Sequence, residues 1–176
     1  MLLDYFDDLE RNTCLRINAL SRHGIVRDVF GGVSRLGDYP AWVIFGIICA
    51  AYPGTDGRTV VLQAALTGLV GVLVYKLLKE RLVRERPFIR HGDIVCAAAP
   101  LDRYSFPSGH TLHAVSFSMV YASQVPQLAW ILAPFALLVA LSRVILGLHY
   151  PTDVVAGAAI GAGLAFTSIA VTANFA

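Results

Sequence analysis

Three short stretches of this sequence carry side chains whose types and spacing suit work on an anion. The first, Lys79-Glu80-Arg81-Leu82-Val83-Arg84-Glu85-Arg86-Pro87, sets Lys79 and Arg86 seven residues apart, which on a helix puts both on one side about two turns apart. Pro87 then stops the helix. The second, Tyr104-Ser105-Phe106-Pro107-Ser108-Gly109-His110, brackets a helix start with proline and glycine. Free backbone N–H groups and the helix dipole attract an anion at such an end, and Ser108 adds a hydroxyl and His110 an imidazole. The third, Ser142-Arg143-Val144-Ile145-Leu146-Gly147-Leu148-His149-Tyr150-Pro151-Thr152-Asp153, holds His149 and Asp153 four apart around a helix start, with Pro151 in the first turn, where proline is tolerated. That spacing lets a carboxylate accept the N–H of one ring nitrogen and leaves the other nitrogen free to attack. Taken singly, each stretch also has a structural reading: a basic membrane flank, an ordinary Pro-Ser-Gly turn, and an arginine snorkelling to an interface.

The elements that must position these groups are apolar helices. The chain has 176 residues, 56% hydrophobic and 15% charged, where a soluble domain has about a quarter charged. Disorder, collagen and a polar solenoid are excluded, and a single domain over 1–176 is expected. The segments 39–55, 59–75, 111–142 and 154–176 contain no Asp, Glu, Lys or Arg. A membrane-spanning helix needs about 20 predominantly apolar residues. The expected fold is therefore all-α, a polytopic transmembrane helix bundle over 38–173 with spans at about 38–54, 59–78, 109–124, 127–147 and 153–173. The break Gln124-Val125-Pro126-Gln127 divides the longest tract, and residues 52–57 form a second turn. Residues 1–36 alternate apolar and charged positions and read as an amphipathic helical segment at the membrane surface or against the bundle. A crossing there would bury Arg22, Arg27, Asp28 and Arg35, at a cost of several kcal/mol. Five spans are expected, and six only if this segment also crosses.

The net charge of +2 is too mild to imply a nucleic-acid partner, and no recognition motif for one is present. Position says more, since six of the 14 basic residues fall within 76–90 and five within 11–35. Cys14, Cys49 and Cys96 have no zinc-ligand or CxxC spacing and read as small apolar fillers. The acidic start MLLDYFDDLE leaves no secretory signal expected. Gly157 and Gly161, four apart in a run of small residues, allow close helix packing, either inside the bundle or at a dimer face, so monomer and dimer both stay open.

With the three stretches in place, the chain resembles the type 2 phosphatidic acid phosphatase family, the membrane lipid phosphatases that share a site with vanadium haloperoxidases. The family pattern is Lys, six residues, Arg-Pro; then Pro-Ser-Gly-His; then Ser-Arg, five residues, His, three residues, Asp. Lys79 with Arg86-Pro87, Pro107-Ser108-Gly109-His110, and Ser142-Arg143 with His149 and Asp153 match it in order and in full. The motifs cover 79–153 and the helical pattern 38–173. Members commonly have six spans, where this chain reads as five.

The resemblance implies a phosphohydrolase that needs no metal and no cofactor. Phosphoryl transfer spreads negative charge over three oxygens, so catalysis is mostly positioning and electrostatics. Lys79, Arg86 and Arg143 would form the positive cage, completed by the Ser108 hydroxyl and the backbone near Gly109. His149, oriented by Asp153, would attack phosphorus to give a phosphohistidine. His110 would protonate the leaving oxygen and then activate water. The substrate expected is a membrane lipid phosphate, such as phosphatidic acid, phosphatidylglycerol phosphate, a prenyl diphosphate or a lipid A phosphate, whose tail stays in the bilayer. Transfer of the phosphoryl group to a lipid hydroxyl is the nearest alternative, and a silent scaffold or lipid carrier is a further one. His113 reads as structural or substrate-lining, and His23 and His91 as solvated. Arg81, Arg84 and Arg90 read either as headgroup recruiters or as solvated interfacial charges, and 88–103 as a cap over the site. The positive-inside rule would turn the site towards the cytoplasm, but several of the cations counted belong to the site itself. The resemblance implies a bacterial inner membrane with the site on its periplasmic or outer face.

Overall fold

The computed structural model describes residues 2–174, with side chains from Asp8 onward. Among these residues eight α-helices and no strand occur: α1 (Leu2–Asn18), α2 (Gly24–Leu36), α3 (Pro40–Ala50), α4 (Gly57–Leu82), the single turn α5 (Pro87–Arg90), α6 (Gly109–Gln124), α7 (Ala129–Ile145) and α8 (Pro151–Ala173). The expected all-α bundle is the fold found. Three helical stretches, Gly57–Leu82, Pro126–Ile145 and Pro151–Ala173, are long and apolar enough to cross a membrane. The spans expected at 38–54 and 109–124 correspond to α3 and α6, which have 11 and 16 residues and fall short of that length.

The apolar residues are distributed as a lipid-facing bundle requires. Leu62, Leu66, Leu69 and Leu73 on α4, Leu137 and Leu141 on α7 and Phe166 on α8 are exposed, and with no polar partners on that surface the hydrocarbon of a bilayer is their solvent. Trp130 is 85% exposed at the end of α7 opposite Arg143, where an amphipathic ring suits the membrane interface. Inside, Trp42, Val60, Tyr121, Leu132 and Val139 form the main core.

At the centre lies α6, packed chiefly against α8, α7 and α4. The α6–α8 contact is backbone against backbone. A Cβ on Gly157 would stand 2.5 Å from the Ser108 carbonyl oxygen, and one on Gly161 closer still to that of Leu112. The small-residue stripe is thus used within the bundle, because no side chain could fit between these helices. The Ser108 N–H also donates to the Asp153 carbonyl at 3.0 Å, fastening the start of α6 to the first turn of α8.

The amphipathic N-terminal segment forms two helices rather than one, joined by a 3₁₀ turn at Ala19–Arg22. Both pack on α7. Asn18 ties the segment to the site loops: its amide donates to Val95 O at 2.9 Å and Ile145 O at 3.0 Å, and its carbonyl accepts the Val95 N–H at 2.8 Å. Cys14 and Cys49 are buried as expected of fillers, whereas Cys96 is exposed in the 91–108 loop.

Two local features aim the motif residues. Asp56 caps α4 by accepting the N–H groups of Arg58 and Thr59, as an N-cap carboxylate should. At its other end α4 stops on Val83, held at φ 38° and ψ 52°. A β-branched residue pays of order 1–3 kcal/mol for that left-handed conformation. The turn swings Arg84 and Arg86 off the helix axis and towards α8.

Candidate active site

The ends of α4, α6 and α7 and the start of α8 meet around one cavity of about 760 Å³. Lys79, Arg86, Gly109, His110, Arg143 and His149 all line it, so six of the eight residues singled out in the sequence come together. Ser108 and Asp153 stand behind the wall. The Ser108 hydroxyl lies 3.0 Å from Thr111 Oγ1 and caps α6, since the residue before a helix's first turn is where an oxygen satisfies free N–H groups.

Arg86 is buried and reaches His149. Its Nη1 donates to Leu148 O at 2.8 Å and lies 3.3 Å from His149 Nε2. His149 itself hangs from the last turn of α7, its N–H donating to Arg143 O at 3.1 Å. Burial first, and then the charges of Arg143, Arg86 and Lys79, hold the imidazole well below its ordinary protonation range. The ring is neutral at physiological pH and one nitrogen keeps a lone pair.

The expected His149–Asp153 hydrogen bond takes a looser form. Nδ1 and Oδ2 are 3.6 Å apart, beyond hydrogen-bond length. Asp153 spends its oxygens elsewhere: Oδ2 accepts the Tyr150 N–H at 2.8 Å and Oδ1 accepts from Arg84 Nη1 at 2.6 Å. Arg84 is therefore neither a headgroup recruiter nor a solvated charge. It bridges Asp153 and Glu10, donates to Thr152 Oγ1 at 2.8 Å and lies over the Tyr150 ring at 4.1 Å. Opposite charges raise its proton affinity against burial. His91 also departs from the solvated reading, with its ring edge-on to Tyr150 at 6.3 Å. His113 lines the cavity and also joins α6 to α4, its Nδ1 2.9 Å from Gly109 O and its Nε2 3.3 Å from Gly68 O.

Three acidic and polar groups escaped the sequence reading. The Asp102 carboxylate lies 2.7 Å from Lys79 Nζ through each oxygen, and its Oδ1 accepts from Arg86 Nη2 at 2.8 Å. Burial would raise this carboxyl, but Lys79 and Arg86 hold it below the usual carboxylate range. A bidentate carboxylate thus sits on two of the three expected phosphate-binding cations. Of the 88–103 segment expected to cap the site, Leu101, Asp102 and Arg103 line the cavity. Ser34 of α2 accepts a hydrogen bond from Arg143, and Asp38, between α2 and α3, lies 2.5 Å from His110 Nε2. No spacing rule links residues 34, 38 and 102 to the motifs, because only the tertiary fold brings them near.

The wall also includes Lys76, Glu80 and Arg103, and its part between α3 and α4 is apolar. Trp42, Val43, Ala64, Leu69, Val72 and Phe117 carry its wall down between α3 and α4, and Val43 and Leu69 are also exposed on the outer face. A second, almost wholly apolar groove shares Trp42, Val43, Ala64 and Tyr121 and continues along α3 to Ala51.

Known proteins resemble this chain in sequence and in fold. The undecaprenyl-diphosphatase BcrC of Bacillus subtilis is 33% identical over 141 residues, covering 78% of this chain and 71% of that protein. The lipid A 1-phosphatase of Rhizobium johnstonii is 29% identical over 142 residues, covering 69% of this chain and 58% of that protein. Among solved structures, the transmembrane PAP2-type phosphatidylglycerolphosphate phosphatase of Bacillus subtilis superposes with a TM-score of 0.78 at 27% identity, covering 98% of this chain and 88% of that one. The LpxE structure from Aquifex aeolicus gives 0.77 at 26% identity, with coverages of 90% and 93%. These relatives are membrane lipid phosphatases, and the lipid-facing helices described above make this chain an integral membrane protein like them. The family model for the PAP2 superfamily matches residues 60–175, a stretch that takes in every helix bearing the motif residues, and the chain belongs to that family of phosphatases.

Proposed function

We infer that the protein hydrolyses a phosphomonoester or diphosphate of a membrane lipid through a phosphohistidine. One observation carries this: imidazoles and cations converge in a cavity that also has an apolar wall between α3 and α4, where Val43 and Leu69 reach the exposed outer surface. A phosphate fits the charged end and a long tail the other. The apolar lining of the groove suits a prenyl or acyl chain, and the substrate classes named for the relatives all have this form.

The residues divide the work. Lys79, Arg86 and Arg143 neutralise the phosphoryl oxygens, with the N–H groups at the start of α6 beside them. Neutral His149 attacks phosphorus through Nε2; an N–P bond forms as the P–O bond to the lipid breaks. His110 gives the departing oxygen its proton, then takes one from the water that cleaves the N–P bond. Asp153, held by Arg84, faces Nδ1 and steadies the charge that the ring acquires on attack. The bundle crosses the cytoplasmic membrane of a bacterium five times, α3 and α6 included, with the site at the outer face.

Phosphate release in detergent from prenyl diphosphate, phosphatidic acid, phosphatidylglycerol phosphate and glucose 6-phosphate, with and without chelator, tests the reading. Turnover of one or more lipids, undiminished by chelator, and neglect of the sugar phosphate are expected. His149→Ala should lower turnover at least 100-fold, which is the scale of losing a nucleophile. Preference for the sugar phosphate, or survival of more than a few percent of turnover in the variant, would overturn it.

A further inference from the structure

The corner between α2 and α3 brings two polar groups to the cavity that the family motifs do not contain. Ser34, in the last turn of α2, holds Arg143, and the Asp38 carboxylate meets His110 Nε2 at 2.5 Å. The corner is rigidly seated. The Trp42 indole N–H donates to Gly37 O at 2.7 Å, and the Tyr121 hydroxyl of α6 donates to Trp42 O at 3.0 Å. Gly37 lies so close to α7 that a Cβ there would stand 2.8 Å from Val139 Cγ2. Asp38 is thus fixed from both α6 and α7, and its charge is aimed at one ring.

A histidine that protonates a leaving alkoxide must be charged and oriented before the bond breaks. Arg143 lines the same cavity and works against that charge, and His113 stands one turn away on α6. A carboxylate on one ring nitrogen counters them and fixes the ring plane, leaving the other nitrogen as proton donor. We propose that Asp38 is the positioning residue for His110, holding the imidazole through Nε2 so that Nδ1 faces the leaving oxygen of the lipid phosphate. The α2–α3 corner is then a fourth segment of the site. Nδ1 loses its proton to the lipid oxygen as the P–O bond breaks and regains one from the attacking water, and Asp38 stays ionised throughout. This rests on the assignment of His110 as the acid.

The experiment compares an alkyl lipid phosphate, whose leaving group needs a proton, with nitrophenyl phosphate, whose leaving group does not. General acids contribute typically 10²–10⁴-fold, so Asp38→Asn should lower kcat for the alkyl ester by about 10–100-fold, a part of that range. KM for the alkyl ester should stay nearly unchanged, and so should kcat/KM for nitrophenyl phosphate, which covers the steps up to nitrophenolate release and not the later attack of water; Asp38→Glu should recover part of the loss. Equal losses of kcat/KM on both esters, or a change confined to KM, would overturn the proposal. Should Asp38→Asn not fold, Asp38→Glu is read the same way: a partial loss of kcat/KM confined to the alkyl ester supports the role, and an equal loss overturns it. His110→Ala separates the two assignments. If its kcat/KM discriminates between the esters and that of Asp38→Asn does not, Asp38 alone is wrongly placed; if His110→Ala lowers kcat/KM for both equally, the acid assignment falls and this one with it.

Discussion

Asp102 occupies Lys79 and Arg86 in the geometry that a phosphate would use, with two oxygens for Lys79 and one shared with Arg86. A carboxylate and a phosphoryl group cannot both hold those donors, so under the proposed role of Lys79 and Arg86 the two would compete. Asp102→Asn should therefore bind inorganic phosphate more tightly, read as a lower inhibition constant against the lipid substrate. The same variant leaves the buried Lys79 without its counter-ion, which is destabilising, and phosphate should restore part of the lost melting temperature. An inhibition constant unchanged from wild type would show that the carboxylate does not contest the phosphate seat. The pH dependence follows from the same pair. Because Asp102 is held below its ordinary value of 3.8 when folded, its contribution is fully present above that value and lost as pH falls through the lowered one. The melting-temperature gap between wild type and Asp102→Asn should be constant near neutrality and close on acidification. The motif residues were legible in the sequence because they recur at fixed offsets within one turn or one helix end. Asp38, Ser34 and Asp102 were not, since each reaches the site across a separation of 72 residues, as between Asp38 and His110, or through a loop with no spacing rule.

At the level of elements, charge-free tracts marked α4, α6, α7 and α8 to within a few residues of their observed limits. Helix ends were less legible. α4 runs on to Leu82, past the Tyr75 boundary of its uncharged tract, because Lys79 turns inward to Asp102 instead of ending the helix in solvent. The N-terminal segment is helical as its amphipathic pattern implies, but its division was not legible, because the 3₁₀ turn at Ala19–Arg22 is set by Ser21, buried beside Asn18. Gly161→Ala would force α6 and α8 apart, and such overpacking costs about 1–3 kcal/mol. A lowered melting temperature in detergent and a reduced kcat are expected; an unchanged melt would mean that the helices part without strain.

For the whole molecule, the exposed cysteine offers a direct reading of orientation. Cys96 is exposed in the loop at the site end, while Cys14 and Cys49 are buried. A membrane-impermeant maleimide applied to intact cells should label the native protein at one position if that end faces outward, and mass mapping should place the adduct on Cys96. Labelling only after the cells are opened would turn the proposed orientation round. The exposed leucines and the groove between α3 and α4 belong to one surface, and on the proposed reading headgroup and tail would be taken from the same bilayer without the lipid leaving it. The glycine contact between α6 and α8 bears on how such an enzyme can diversify. His110 and His149 are spaced by main chain lying on main chain, with the Ser108 N–H pinned to Asp153 O, so that distance changes only where Gly157 or Gly161 themselves are replaced. Adaptation to a new headgroup is left to the opposite rim, to positions of the 91–105 loop and the α2–α3 corner other than Asp102, Ser34, Gly37 and Asp38, which hold the site's own charges in place.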